Sequence, residues 1–256
     1  MKGTLRYLPS VLVLAAGVAL WQALTVALRV PDFLLPGPSA IWKDAVSQHR
    51  LLLDNTWPTL EIAVAGFGLA LVLGVGLAIA IHYSSFLHLA IYPIVVASQT
   101  VPLLALAPIL VVLLGFTIVP KLVVVCLICF FPIAVNMVDG LHSVDPDLRR
   151  LMRTFGAGRW QLLRHVEFPG AMPYLFSGMK VAVAYSVVGA LFGEWVGSSQ
   201  GLGWIMEQAQ AQFDTEALFA AMIILTAIGL GLFALVSVAE RLLLPWYHDE
   251  RRSQAR

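Results

Sequence analysis

The chain has 256 residues, 59% of them hydrophobic and only 12% charged, with a mean hydropathy of +0.85 and a net charge of +1. No soluble domain can hide that much apolar surface, so the composition excludes a water-soluble enzyme or binding module and leaves a polytopic membrane protein. The arginines follow topology rather than forming one patch, so no nucleic-acid partner is implied.

An apolar helix needs about 20 residues to cross a hydrocarbon core of about 30 Å. Six stretches qualify: 8–28, 58–81, 86–116, 120–138, 171–197 and 216–240. The runs are continuous rather than alternating, which predicts an all-α fold with one transmembrane domain over 1–256 and no barrel strands. Lys2 and Arg6 precede the first span, Arg149, Arg150, Arg153, Arg159 and Arg164 fill the central loop, and Arg241, Arg251, Arg252 and Arg256 follow the last span. The opposite side carries only Arg29, Lys43, Arg50 and Lys121. Both termini and the loop 139–169 are therefore expected in the cytoplasm. The first span follows two basic residues as a secretion signal would, but its long apolar run without a small-x-small exit reads as an uncleaved span.

Outside, the loop 30–56 begins with a rigid proline-rich lead-in, Pro31 to Pro38. A short helix Ser39–Gln48 should follow, capped by Ser39 and resting on the outer surface through Ile41, Trp42, Ala45 and Val46. Span two carries Gly66, Ala70, Gly74 and Ala78 at four-residue spacing, a ridge for close helix packing. Span three holds Ser98, Gln99 and Thr100 before Pro102, with Pro108 beyond. These polar groups either line a pathway or cap the carbonyls freed by a proline kink. In span four, Cys126 and Cys129 lie inside the apolar run Leu122–Phe131 without a histidine or second cysteine pair nearby. They read as buried thiols, and no metal site is expected. Asp139 is expected in headgroups or water.

The central loop has strong helix signals. Asp145 suits an N-cap, Pro146 the first helical position and Asp147 the positive end of the dipole, while Gly156 can stop the helix. Along Pro146–Phe155, Leu148, Leu151, Met152 and Phe155 recur at i, i+3, i+4, i+7, with Arg149, Arg150 and Arg153 on the other face. After Gly158 a second short helix bears Trp160 and Leu163 on one stripe and Leu162 and Val166 on the next, ending before Pro169. The resulting hairpin either lies on lipid headgroups or docks into a groove on a soluble partner.

In span five, Lys180 can snorkel toward the cytoplasmic side. Glu194 near the outer end either faces outer water or a cap, or serves as a polar group at a gate, with Tyr185 and Ser186 nearer the middle. The glycines of the outside loop 198–215 suit a sharp re-entry before a short helix ending near Phe213. The candidate pathway residues are thus Ser98, Gln99, Thr100, Tyr185, Ser186 and Glu194. Trp246 and Tyr247 read as interfacial anchors after span six. There is no phosphate-binding Gly-x-x-x-x-Gly-Lys-Ser/Thr loop and no nucleophile triad, so neither ATP binding in that manner nor catalysis is expected of this chain.

Gly156 followed by Val166-Glu-Phe-Pro169 resembles the cytoplasmic "EAA" loop of bacterial ATP-binding-cassette (ABC) importer permeases, with Arg150, Leu151 and Met152 standing where Glu-Ala-Ala would be. The resemblance extends over most of the chain. The proline-rich lead-in, Thr100-Val-Pro-Leu-Leu-Ala-Leu-Ala-Pro108, Glu194-Trp-Val-Gly-Ser-Ser-Gln-Gly-Leu-Gly203 and Glu240-Arg-Leu-Leu-Leu-Pro-Trp246 are similar to the nitrate/sulfonate/taurine type. Ser98-Gln-Thr-Val-Pro102 and Phe130-Phe-Pro-Ile-Ala-Val-Asn136 look most like permeases for thiamine-precursor pyrimidines and related heterocycles. The resemblance implies a multi-pass protein of the bacterial inner membrane, working as a homodimer with two ATPase subunits inside and a substrate-binding protein outside. It also implies that ATP and Mg are held by the ATPase, with no cofactor on this chain. The loop would insert into a cleft of the ATPase through Asp145, Leu148, Arg149, Leu151, Met152, Arg153, Phe155, Gly156 and Trp160. The same importer type for sulfonate, taurine or nitrate stays open, as does a gradient-driven secondary transporter or channel.

Overall fold

A computed structural model describes residues 8–98, 100 and 102–247, and among these the chain is helical without strands. In order the helices are α1 (Leu8–Ala27), α2 (Pro38–Ser47), α3 (His49–Tyr83), α4 (Ser85–Ala90), α5 (Tyr92–Ser98) and α6 (Leu103–Leu114). They continue with α7 (Ile118–His142), α8 (Pro146–Thr154), α9 (Arg159–Leu162), α10 (Phe168–Trp195), α11 (Leu202–Gln212) and α12 (Thr215–Leu243). The terminal basic residues Lys2, Arg6, Arg251, Arg252 and Arg256 lie outside the described residues.

Among the described residues, five helices are long and apolar enough to cross a membrane. The expected third span, 86–116, is instead divided into α4, α5 and α6. Pro93 lies in the first turn of α5 and Pro102 is the cap of α6, positions where a missing N–H does no harm. Span two also differs from expectation: α3 begins at His49, ahead of the apolar stretch, and runs through Pro58. Hydropathy marked only the lipid-compatible part, whereas the helix of about 50 Å continues past the hydrocarbon through Asp54, Asn55 and Thr56.

The core forms around α7, with α3 against one face and α10 against another. Ile62, Ala70, Ala78, Val125, Cys129, Ile133, Met137, Ala171 and Ala182 are buried together. Association in lipid depends on packing rather than hydrophobicity, so backbones must approach closely. The small-residue ridge of α3 provides this: a Cβ on Gly66 would lie 2.6 Å from Val125 Cβ. A second ridge on α10 does the same, since a Cβ on Gly178 would lie 2.6 Å from the Pro132 carbonyl. Cys126 and Cys129 are buried and free, and Cys129 Sγ donates to the Ala182 carbonyl at 3.2 Å.

A second cluster joins α2, α10, α11 and α12 through Ile41, Val187, Leu202, Ile205, Ala221 and Leu225. Ile41 is therefore core rather than part of an interfacial stripe, while Trp42 remains exposed. The cap of α2 is Gly37 with Pro38 in the first turn, not Ser39. Ser39 lies inside the helix, and its N–H donates to Gln22 Oε1 of α1 at 2.9 Å.

The expected central hairpin is half right. α8 is a separate helix, but α9 passes through a π-turn, Leu163–Glu167, directly into α10. Pro169 does not end the second arm, because the wider turn register before it accommodates the N–H that proline lacks. A continuous helical rod therefore extends from Arg159 to Trp195.

Candidate functional site

Polar residues gather at two ends of the bundle, one carrying α8 and the other α11. At the α8 end, Asp145 Oδ1 accepts from Asp147 N at 2.8 Å, closing the N-cap over Pro146. At the other terminus Gly156 takes φ 81°, with its N–H on the Arg153 carbonyl at 2.9 Å and Ala157 N on the Met152 carbonyl at 3.0 Å. This is the paired bonding of a left-handed glycine stop, and it sets the length of α8.

Between these caps no residue of α8 is buried. Leu148, Leu151, Phe155 and, beyond the turn, Trp160 are 44, 51, 79 and 70% exposed. Met152 is half-buried, whereas Asp145, Arg153 and Gly156 are exposed. Arg150 pairs with Asp147 at 3.1 Å on the open surface. Arg149, expected on the outer face with its neighbours, is instead turned inward. Its Nη2 donates to the Leu141 carbonyl in the last turn of α7, and its Nε lies 3.3 Å from Glu167 Oε1. The unmatched carbonyls and the negative dipole end of α7 attract this cation.

Sequence reasoning did not single out Glu167. Its side chain is 3% exposed. Oε1 faces His82 Nε2 at 3.1 Å as well as Arg149, and Oε2 accepts from Tyr83 Oη at 2.9 Å. Tyr83 Oη also lies 3.1 Å from the Arg159 carbonyl. Beyond His82, the His142 and His88 rings follow at centroid distances of 5.4 and 5.1 Å, and Tyr92 Oη donates to Asp139 at 3.1 Å. An acid inside Val166-Glu-Phe-Pro169, next to a long apolar run, was the available signal: a charge there needs partners.

At the α11 end, Glu194 is fully buried, away from outer water, and takes the place of a cap. Its Oε2 accepts from Gly203 N at 2.8 Å and lies 3.0 Å from Thr59 Oγ1. Thr59 Oγ1 accepts from Leu202 N at 2.9 Å, and Asn55 Oδ1 accepts from Gly201 N at 2.7 Å. Three side chains from α3 and α10 thus satisfy the orphan donors at the start of α11. Gly201 has φ 109°, and a Cβ there would lie 2.2 Å from Glu194 Cδ. The glycine-containing loop accordingly folds over the carboxylate.

Of the candidate pathway residues, the side chains of Thr100, Tyr185, Ser186 and Glu194 are among those described. Gln99 and the Ser98 side chain lie outside the described residues. Thr100 donates to the Ala97 carbonyl at 2.7 Å, and buried Ser186 donates to the Val183 carbonyl at 2.8 Å. Tyr185 is half-exposed on α10. Lys180 pairs with Glu240 of α12 instead of snorkelling. That partner lay 60 residues away in sequence, which no local pattern could reveal.

The comparisons with known proteins agree on the kind of protein. Residues 70–248 match the family described as binding-protein-dependent transport system inner membrane component. The chain is 36% identical over 247 residues to the formylaminopyrimidine transport permease protein ThiX of Halalkalibacterium halodurans, covering 96% of this chain and 98% of that one. It is 37% identical over 230 residues to the riboflavin transport system permease protein RibX of Chloroflexus aurantiacus, covering 88% and 85%. It is 26% identical over 235 residues to the taurine transport system permease protein TauC of Escherichia coli, covering 90% and 86%. Among solved structures, an inward-facing MetNI methionine ABC transporter has the same fold, with a TM-score of 0.61 and 20% identity over 75% of this chain and 97% of that one. The chain belongs to the family of binding-protein-dependent inner-membrane components of ABC importers, and is a multi-pass permease subunit of the nitrate/sulfonate/taurine type.

Proposed function

We propose that the chain forms the translocation pathway of an ATP-driven importer whose ATPase subunit docks on α8 and α9 and whose solute is a thiamine-precursor pyrimidine or related heterocycle. The observation that carries the docking is the exposed series Leu148, Leu151 and Phe155 along a helix fixed at both ends, with Trp160 exposed beyond the turn, on the arginine-rich side of the chain. An apolar face of this spacing fits a groove on a soluble partner. A second copy of the chain completes the pathway, and an extracytoplasmic binding protein delivers the solute. ATP and Mg are held by the partner ATPase. Similarity to permeases named for formylaminopyrimidine and riboflavin supports a nitrogen heterocycle.

The test is purification of the tagged chain from host membranes in mild detergent, with measurement of the accompanying proteins. A P-loop ATPase at one copy per permease is expected, and Leu151→Asp should weaken its retention about 100-fold, as loss of a central apolar anchor does. Copurification unchanged by that substitution would sink the docking role of α8. Uptake of formylaminopyrimidine, with riboflavin and taurine in parallel, then tests the solute. Uptake that persists without ATP hydrolysis would favour a gradient-driven carrier.

A further inference from the structure

We propose that Glu167 is the positioning residue through which displacement of α8 is passed to α3 and α10. This rests on the reading that an ATPase docks on α8, and extends it by naming the joint. Glu167 belongs to the π-turn that leads into α10. Arg149 belongs to α8, and His82 and Tyr83 form the last turn of α3. All three partners converge on one buried carboxylate, at 3.1 Å from His82, 3.3 Å from Arg149 and 2.9 Å from Tyr83.

Three features favour transmission over static support. First, α8 has no buried residue, so it is held by its flanking turns and by Arg149 rather than by a packed face. Movement of the helix as a unit must then pull on the guanidinium. Second, the Arg149 and Glu167 side chains are only 21 and 3% exposed, so their attraction is weakly screened and persists as the helix shifts. Third, a π-turn interrupts the regular bond ladder where Glu167 sits, a place where a helix can change register. Arg149 also holds the Leu141 carbonyl, so the same side chain ties α8 to the end of α7.

The test uses the intact permease–ATPase complex in nanodiscs and hydrogen exchange with and without Mg-ATP plus vanadate. In the wild type, nucleotide should alter exchange both in residues 146–155 and in residues 76–90. Glu167→Gln and Tyr83→Phe are near-isosteric, so both should fold and retain the ATPase. In each, the response at 146–155 should persist. The response at 76–90 should fall by about threefold or more in Glu167→Gln and by less in Tyr83→Phe, the scale expected of one residue in a coupling network. A purely structural role would change nucleotide-free exchange but not this nucleotide-dependent difference. Wild-type responses at 76–90 in both variants, or loss of both responses together, would overturn the proposal alone. A wild-type preparation without any ATPase would overturn the docking reading and, with it, the proposal.

Discussion

Each end of the bundle buries a glutamate, and the two are used in opposite ways. Glu194, 0% exposed, sits beneath the start of α11 and is bonded to a backbone N–H and to Thr59, itself occupied by backbone. Glu167, 2% exposed, is hydrogen-bonded to Tyr83 of α3 and lies within ion-pair distance of His82 and of Arg149, which belongs to an otherwise unburied helix. A carboxylate fastened to backbone fixes a loop, whereas one shared among long side chains lets elements shift while staying linked. The α11 end should therefore respond to mutation in stability alone, and the α8 end in communication as well as in a smaller loss of stability.

The largest stability effect is expected at Gly201. Its φ of 109° and the 2.2 Å approach of an added Cβ to Glu194 Cδ leave no room for a side chain. Gly201→Val should destabilise the protein by about 4 kcal/mol or more, combining backbone strain with a clash against a buried acid. The check is the temperature at which half the protein leaves the monodisperse peak on size-exclusion chromatography. A midpoint within a few degrees of wild type would show that the loop does not need its fold over Glu194.

Next comes Glu194 itself. Glu194→Ala leaves the buried Gly203 N–H without its acceptor and the Thr59 hydroxyl with the Asn55 carbonyl alone, a loss of about 3 kcal/mol. Glu194→Gln keeps one acceptor oxygen and should lose only about 1 kcal/mol. If both variants were equally stable but failed in uptake, Glu194 would belong to the pathway after all and the contrast between the two ends would collapse.

Much of this contrast was legible in part of the sequence. Asp145, Pro146 and Gly156 are local signals, and α8 runs from Pro146 to Thr154 against an expected end at Phe155. The ridge from Gly66 to Ala78 was legible because a four-residue spacing is visible without knowing its partner. Gly178, Ala182, Gly189 and Gly193 on α10 offered a similar signal that went unread. What could not be read was long-range. Tyr83 and Glu167 are 84 residues apart, and Asn55 and Gly201 are 146 apart, so neither bond leaves a periodic trace. The helical pattern of α8 likewise assigned Arg149 to the polar face, since periodicity contains no information about the α7 carbonyl beside it.

Arg149 and Arg150 give the finest division, because they are adjacent and chemically identical. The Arg150 and Asp147 side chains are 79 and 83% exposed, so their ion pair is screened by water and constrains two flexible side chains for little gain. Arg150→Ala should change stability by less than about 0.5 kcal/mol. Arg149→Ala removes the cation beside a buried carboxylate and should cost about 2 kcal/mol, below the range for fully buried pairs because Arg149 remains 21% exposed. Thermal midpoints of the two variants, measured side by side in one detergent, decide the matter. Equal midpoints would mean that Arg149 contributes no more inside than its neighbour does outside. Glu167 would then have to be held by Tyr83 and His82 alone, and α8 would have no charged connection to the rest of the bundle through that carboxylate.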